Sequence, residues 1–197
     1  MEWIVKNLNK FTAEYNRIEQ EMVTEKGKKK PHNIWIIKPG ENTNRGSGIN
    51  VCKEFGEIKS LIETKVLLKN NKYRSYIVQK YLERPLLINR RKFDIRWFSL
   101  VTSVNGNLCG YWYQEGYVRT ASKEFSLKNV SNKYIHLTND AIQKKWEIYG
   151  KFEDGNKLNY KEFQKHFDSV HPDWNIDFEG KIYPQMKRMV ADTIKAT

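Results

Sequence analysis

Cysteine is scarce. The 197 residues contain only Cys52 and Cys109, far apart and without a CxxC spacing. Neither a disulfide framework nor a structural zinc site finds support in that pair, and a reducing compartment follows. Long apolar runs are lacking too: Lys, Arg or Asn interrupts each hydrophobic stretch, so no segment reads as a membrane span. Residues 1–21 are punctuated by charges, so nothing there reads as a secretory signal. The chain has no GxSxG elbow, no HExxH or HxxxH spacing, no GxxxxGK[ST] loop and no GxGxxG after a strand. Its four histidines are scattered, and His166 and His171 are poorly spaced for a shared metal. Covalent and zinc mechanisms are therefore disfavoured, and no RNP1-like sequence supports RNA binding.

What is present is positive charge and aromatic mass. With 35 basic against 23 acidic residues the net charge is +12, and 13% of residues are aromatic. Such a surplus points to a polyanionic partner: nucleic acid, anionic lipid, nucleotide phosphates or an acidic protein tail. A merely solvated basic surface is the alternative. The hydrophobic content of 39% is enough for a folded core.

Periodicity predicts an amphipathic helix over residues 1–24, from Ile4, Leu8, Phe11, Tyr15 and Ile18, followed by a basic connector at 25–31. Residues 33–38 (NIWIIK) read as a buried strand, 39–49 (PGENTNRGSGI) as a Gly-rich loop and 49–53 as a return strand. Residues 55–68 read as a helix, 75–82 as a second buried strand and 86–88 as a short extension. Residues 92–103 are β-rich and turn at Asn105-Gly106 into a partner strand over 109–120. Helices are expected at 140–149, 160–170 and 180–197. The mixture reads as α+β with a mainly antiparallel sheet and flanking helices.

Four groups of residues can carry chemistry. Lys38 precedes a loop containing Gly40, Arg45, Gly46 and Gly48, where backbone N–H groups and a lysine could meet phosphate; an ordinary Gly-rich turn is the competing reading. In KFDIR, alternation places Lys92, Asp94 and Arg96 on one strand face, with Phe93, Ile95 and Trp97 on the other. That row could grip a nucleotide or form an ion-pair ladder. Arg119 ends the segment EGYVR, either as an anion ligand or as a surface arginine. In YIHLTN, Thr138 or Asn139 can cap the helix that follows, and His136 can be a satisfied core histidine.

Taken in order, NIWIIKPGENTNRGSGI, YIVQKYLERPLLINRRKFDIRWFSLVT, YWYQEGYVRTAS and IHLTNDAIQKK closely resemble the tubulin–tyrosine ligase-like family, strongly over residues 33–150. The resemblance implies an ATP-grasp-like fold, incomplete at the carboxyl end. Residues 1–32 would be a helical, basic extension and 33–197 a truncated ligase core, with two nucleotide-clamping lobes meeting near 79–92. It implies ATP and Mg²⁺ as cofactors. Lys38, Arg45 and Gly46 would lie at the phosphates, and Gln79, Lys80, Tyr81 and Leu82 along the adenine. Lys92 and Asp94 would hold the nucleotide. Arg96 and Arg119, with Lys92, would serve catalysis at the γ-phosphate and the acceptor carboxylate. His136, Leu137, Thr138 and Asn139 would lie beside both. The family's acidic metal-binding strand and Glu-x-Asn segment are not found here, so no metal ligand is assigned; Asp173, Asp177 and Glu179 sit in a context that does not match.

The implied reaction joins glycine, or as a close second glutamate, to a glutamate side chain on tubulin tails. No nucleic acid or membrane is involved, and the setting is cytoplasmic: cytoskeleton, cilium or axoneme. A truncated, non-catalytic microtubule- or nucleotide-binding module is the alternative.

Overall fold

Along residues 35–39 every second side chain is buried: Trp35, Ile37 and Pro39 face inward while Ile36 and Lys38 take the other face. That alternation is what a half-buried strand requires. The computed structural model describes residues 2–24, 32–40 and 43–196, with the side chains of the first helix described from residue 8 to 22. The connector expected at 25–31, the side chain of Ile4 and loop positions 41–42 lie outside the described residues.

The chain divides into two units. The first comprises Met1–Pro85 and Ser126–His136, the second Leu86–Phe125 and Leu137–Thr197. In the first, helix α1 (Glu2–Thr24) leads to strands β1 (Trp35–Pro39) and β2 (Asn50–Cys52), helix α2 (Phe55–Glu63) and strand β3 (Tyr76–Lys80). The strands form an antiparallel sheet in the order β2-β1-β3. Phe11, Tyr15 and Ile18 of α1 close over Trp35, Ile37, Cys52, Phe55 and Ile58. The Phe11 ring stands edge-on to Trp35 at 4.9 Å, and the Tyr15 hydroxyl donates to the Lys53 carbonyl at 2.8 Å. The expected helix 55–68 stops at Glu63; beyond it, Leu67 and Tyr73 form an isolated bridge.

In the second unit, β4 (Leu87–Ile88), β5 (Arg91–Arg96), β8 (Tyr117–Glu124) and β9 (Lys157–Leu158) form one antiparallel sheet in the order β4-β5-β8-β9. The hairpin β6 (Ser99–Val104) and β7 (Asn107–Trp112) turns at Asn105 and Gly106, both at positive φ, as the Asn-Gly signal predicts. The expected long strands 92–103 and 109–120 are thus each divided in two, at residues 97–98 and 113–116. Helix α3 (Lys133–His136) belongs to the first unit; α4 (Asp140–Gln143), α5 (Tyr160–Val170) and α6 (Tyr183–Lys195) belong to the second. The helix expected over 140–149 is therefore one turn long, because residues 144–151 continue as turns. Asn159 and Glu162 start α5 with a reciprocal capping box. Phe163, Phe167 and Phe178 then pack with Ile88, Val118 and Met186 into the core, onto which Phe93 and Ile95 of β5 close.

The pairing of β5 with β8 is irregular. Phe93 stands opposite Thr120 and Asp94 opposite Arg119, but Arg91 stands opposite Glu124. Lys92 therefore faces three residues, Ala121, Ser122 and Lys123, in a bulge that leaves β8 backbone groups outside the ladder. Buried side chains satisfy them. Arg91 donates to the Ala121 carbonyl at 3.2 Å. Gln143 accepts from the Ser122 amide at 2.9 Å. Asn156 donates to the Thr120 carbonyl at 3.0 Å and to the Ser122 hydroxyl at 2.9 Å. Glu153 pairs with Arg91 through both guanidinium ends and accepts from Thr120 at 2.8 Å. The Arg91 and Glu153 side chains are only 2% and 8% exposed.

Arg91→Met leaves a buried carboxylate without its partner and costs about 3–5 kcal/mol of unfolding free energy in urea titrations. The double substitution Arg91→Met/Glu153→Leu recovers most of that loss; equal losses in the single and the double variant would contradict the pairing. Burial, helped by the nearby His171, holds the His166 imidazole below its usual value of 6.5, and Arg91 acts in the same direction against an opposing Glu153. The unfolded chain therefore takes up that proton first, and stability falls as pH drops below 6.5. His166→Gln flattens this dependence in thermal melts between pH 7 and 5, read over that interval as about one proton fewer taken up on unfolding at most.

Candidate functional site

The first unit carries Lys38 on the β1 face opposite the core. Antiparallel pairing sets it across from Ile77, with Gln79 one diagonal away. The Lys38 ammonium donates to the Gln79 amide oxygen at 2.7 Å. After β1, Asn44 and Ser47 close a turn at 3.0 Å whose central residues, Arg45 and Gly46, both have positive φ. Gly40 passes close to Ser75: a Cβ there would stand 2.1 Å from the Ser75 hydroxyl, which would have to turn away. Gln79 and Lys80 complete β3, and the Tyr81 amide continues the pattern by donating to the Ile34 carbonyl at 2.9 Å. Lys80 donates to the His32 carbonyl and pairs with Glu83, whose carboxylate also accepts from the Ile34 amide at 3.0 Å. Leu82 is exposed and Tyr81 buried.

Tyr81 and His136 meet in this unit. The Tyr81 hydroxyl lies 2.9 Å from His136 Nδ1, and His136 Nε2 lies 3.0 Å from the Asn129 carbonyl. The second contact needs a proton on Nε2, so Nδ1 accepts from tyrosine. Burial pushes the Tyr81 hydroxyl above its usual value, which keeps it a donor. Both ring nitrogens are satisfied, as in the core-histidine reading.

The second unit gathers three of the motif residues. Asp94 and Arg119 are cross-strand partners in β5 and β8, and the guanidinium grips the carboxylate through Nε at 2.8 Å and Nη2 at 2.5 Å. Thr138 donates its hydroxyl to the same carboxylate at 2.8 Å. That bond replaces the capping role expected of Thr138; Asn139 occupies the cap position of α4, but its side chain makes no capping bond. Leu137 is buried. The bonds to Asp94 raise the Arg119 pKa further, so its charge is permanent. Lys157 of β9 stands opposite Arg119 on its other side.

Beyond lies Asp140, bonded by Tyr149 at 2.5 Å and Lys144 at 2.8 Å, with Lys157 at 3.9 Å. Burial disfavours its charge, yet these donors win and hold its pKa below the ordinary carboxylate value. The Tyr149 hydroxyl, buried and bonded to Asp140, is pushed up to about 12. The face is thus a chain of alternating charges rather than a row of free cations.

Lys92 lies on β5 across from Leu87, and Arg96 ends β5 exposed, its guanidinium 5.3 Å from the Phe98 ring. Lys38, Arg45, Gly46, the 79–82 segment and His136 thus belong to the first unit, and Lys92, Asp94, Arg96, Arg119, Leu137, Thr138 and Asn139 to the second. Sequence reasoning missed Arg91, Gln143, Glu153, Asn156 and Lys157. Only Arg91, adjacent to the KFDIR row, carried a local signal; the others reach the site through tertiary packing. Among the described residues no three His, Cys, Asp or Glu side chains come together as metal ligands.

The comparisons agree with one another. The model of the tubulin-tyrosine ligase family matches residues 4–197. Tubulin glycylase 3D of Tetrahymena thermophila is 39% identical over 80% of this chain and 14% of its own length. The probable tubulin polyglutamylase TTLL2 of Homo sapiens is 37% identical over 95% of this chain and 28% of its own. Tubulin monoglycylase TTLL3 of Mus musculus is 36% identical over 84% of this chain and 18% of its own. The chain therefore spans under a third of the length of these relatives. With a family match that runs almost end to end and relatives over 30% identical across most of its length, the chain belongs to the tubulin-tyrosine ligase family.

Proposed function

We propose that the chain is part of an ATP-dependent ligase that joins a free amino acid to a glutamate side chain on tubulin tails. The observation that carries this reading is the cluster of Asp94, Arg119 and Thr138. It draws one residue from each of three motif segments into contact around a single carboxylate. Relatives named for glycylation and for polyglutamylation both support the substrate class. Glycine is the favoured donor and glutamate the close second. The same names support a cytoskeletal setting, and cilium or axoneme is the finer placement proposed here.

The chemistry asks for cations and no enzyme nucleophile. The γ-phosphoryl group of ATP passes to the acceptor carboxylate: the bond to the ADP oxygen breaks and a carboxylate–phosphorus bond forms. The amine of the free amino acid then attacks the acyl carbon, the carbon–nitrogen bond forms and inorganic phosphate leaves; the amine gives up its proton. Two anions must approach each other, which fixed positive groups make affordable. In this reading Lys38, Arg45, Gly46 and residues 79–82 take the nucleotide in the first unit. Lys92 and Asp94 hold it in the second, and His136, Leu137, Thr138 and Asn139 are assigned beside the nucleotide and the acceptor. Arg96 and Arg119 face the γ-phosphate and the acceptor carboxylate. Arg96 is exposed and bonded through its side chain to no carboxylate among the described residues, so it is open to an anion. Arg119 must exchange part of its hold on Asp94 for the incoming charge. No step is routed through Mg²⁺. The charge of +12 favours an acidic tail as partner.

Incubation with ATP, Mg²⁺, microtubules and labelled glycine or glutamate should place label on tubulin. Arg96→Ala lowers incorporation by about 100-fold or more with the circular dichroism spectrum unchanged. Wild-type incorporation by that variant contradicts the role given to Arg96. Microtubule binding with no label from either amino acid would instead assign the chain to a binding module without turnover. Binding weakens as salt rises from 50 to 300 mM; salt-insensitive binding argues against the tail model.

A further inference from the structure

We infer that Gln143 is the positioning residue of the Asp94 cluster, acting through Leu137 and the β8 bulge; its bearing on nucleotide rests on the function proposed above. Gln143 is fully buried at the carboxyl end of α4. Its amide has two faces and uses both. The oxygen accepts from the Ser122 amide inside the bulge at 2.9 Å, and the nitrogen donates to the Leu137 carbonyl at 2.5 Å. Ser122 lies three residues after Arg119 on β8, and Leu137 immediately precedes Thr138. One side chain thus connects the strand that carries the guanidinium to the segment that carries the hydroxyl, and both groups meet on Asp94.

The geometry suits an amide. A bulged backbone N–H needs an acceptor, and a buried carbonyl needs a donor. The glutamine carboxamide offers both at once without a charge and at any pH, and asparagine is one methylene shorter. Arg91, Glu153 and Asn156 hold the rest of the bulge. Without the Leu137 bond, Thr138 is free to turn away from Asp94, and Arg119 then carries the carboxylate alone.

Two variants separate positioning from space filling. Gln143→Met keeps the bulk and removes both bonds. Gln143→Glu keeps the oxygen for Ser122 and, when ionised, sets a second oxygen against the Leu137 carbonyl; when protonated, its O–H can donate there. A carboxyl in this buried place titrates above the ordinary range. The readouts are the Thr138 methyl resonance, hydrogen exchange of the Ser122 amide, and ATP affinity by titration, all compared with the parent protein at the same pH.

In Gln143→Met the Thr138 resonance shifts, Ser122 exchanges faster, and ATP binds about tenfold more weakly, the size expected for one lost buried hydrogen bond. In Gln143→Glu at alkaline pH the Thr138 resonance shifts while Ser122 stays protected to within about twofold, since its acceptor is kept. Lowering the pH returns both the resonance and the affinity toward the parent. A Thr138 resonance unmoved in Gln143→Glu at every pH overturns the proposal. So does a shift in Gln143→Glu that acid does not reverse, because a packing change would not depend on a proton. A parent protein that fails to bind ATP removes the nucleotide reading, while the Thr138 and Ser122 signals still decide whether Gln143 positions the cluster.

Discussion

The second unit depends on one irregularity in strand pairing. Between Arg91 and Phe93 the β5–β8 ladder slips, and only after the slip does Asp94 stand opposite Arg119. A β-bulge leaves backbone donors and acceptors without ladder partners, and in a buried position each such group is costly to leave unsatisfied. Here Arg91, Gln143 and Asn156 meet that need from three different segments, and Glu153 holds the Arg91 and Thr120 side chains in place. The register, and with it the cross-strand pair, is therefore set by tertiary contacts as much as by the strands themselves.

This explains what could and could not be read along the chain. The apolar run NIWIIK, the Asn-Gly turn and the Phe-rich helix over 160–170 are local patterns with local causes; the turn and the helix form where they are expected, and the strand forms over Trp35–Pro39, half-buried rather than buried. The opposition of Phe93 and Ile95 to Asp94 was legible for the same reason: strand geometry alone sorts them. The failures are non-local. Residues 144–149 have helical spacing, yet the Tyr149 hydroxyl reaches back to Asp140, which a continued helix would not allow, and the chain turns instead. Thr138 has the right place for a cap, but a carboxylate from another strand offers a charged acceptor, and hydrogen bonds to charge are the stronger kind. Gln143, Glu153 and Asn156 look like ordinary polar positions until packing brings them to the bulge.

The charge surplus also has a different meaning once its geometry is known. Arg91 is spent on Glu153, Arg119 on Asp94, and Lys144 and Lys157 on Asp140, so none of these is a free phosphate ligand in the structure. An anion arriving at Arg119 competes with a carboxylate already gripped at two points. Such competition lets a site hold its shape before substrate arrives, at the expense of some binding strength. Arg96, outside this network, is a cation that the ligase chemistry proposed here can use without first breaking an ion pair among the described residues.

The claim at the centre is that Asp94 and Arg119 act as one interacting pair whose alignment the bulge enforces. A double-mutant cycle with Asp94→Ala and Arg119→Ala, followed by denaturant unfolding, measures that interaction without reference to any ligand. Because Asp94 is 38% exposed, screening reduces the coupling, and the account predicts about 1 kcal/mol between the two positions. Strictly additive losses would show that the two side chains do not sense each other, and would contradict it.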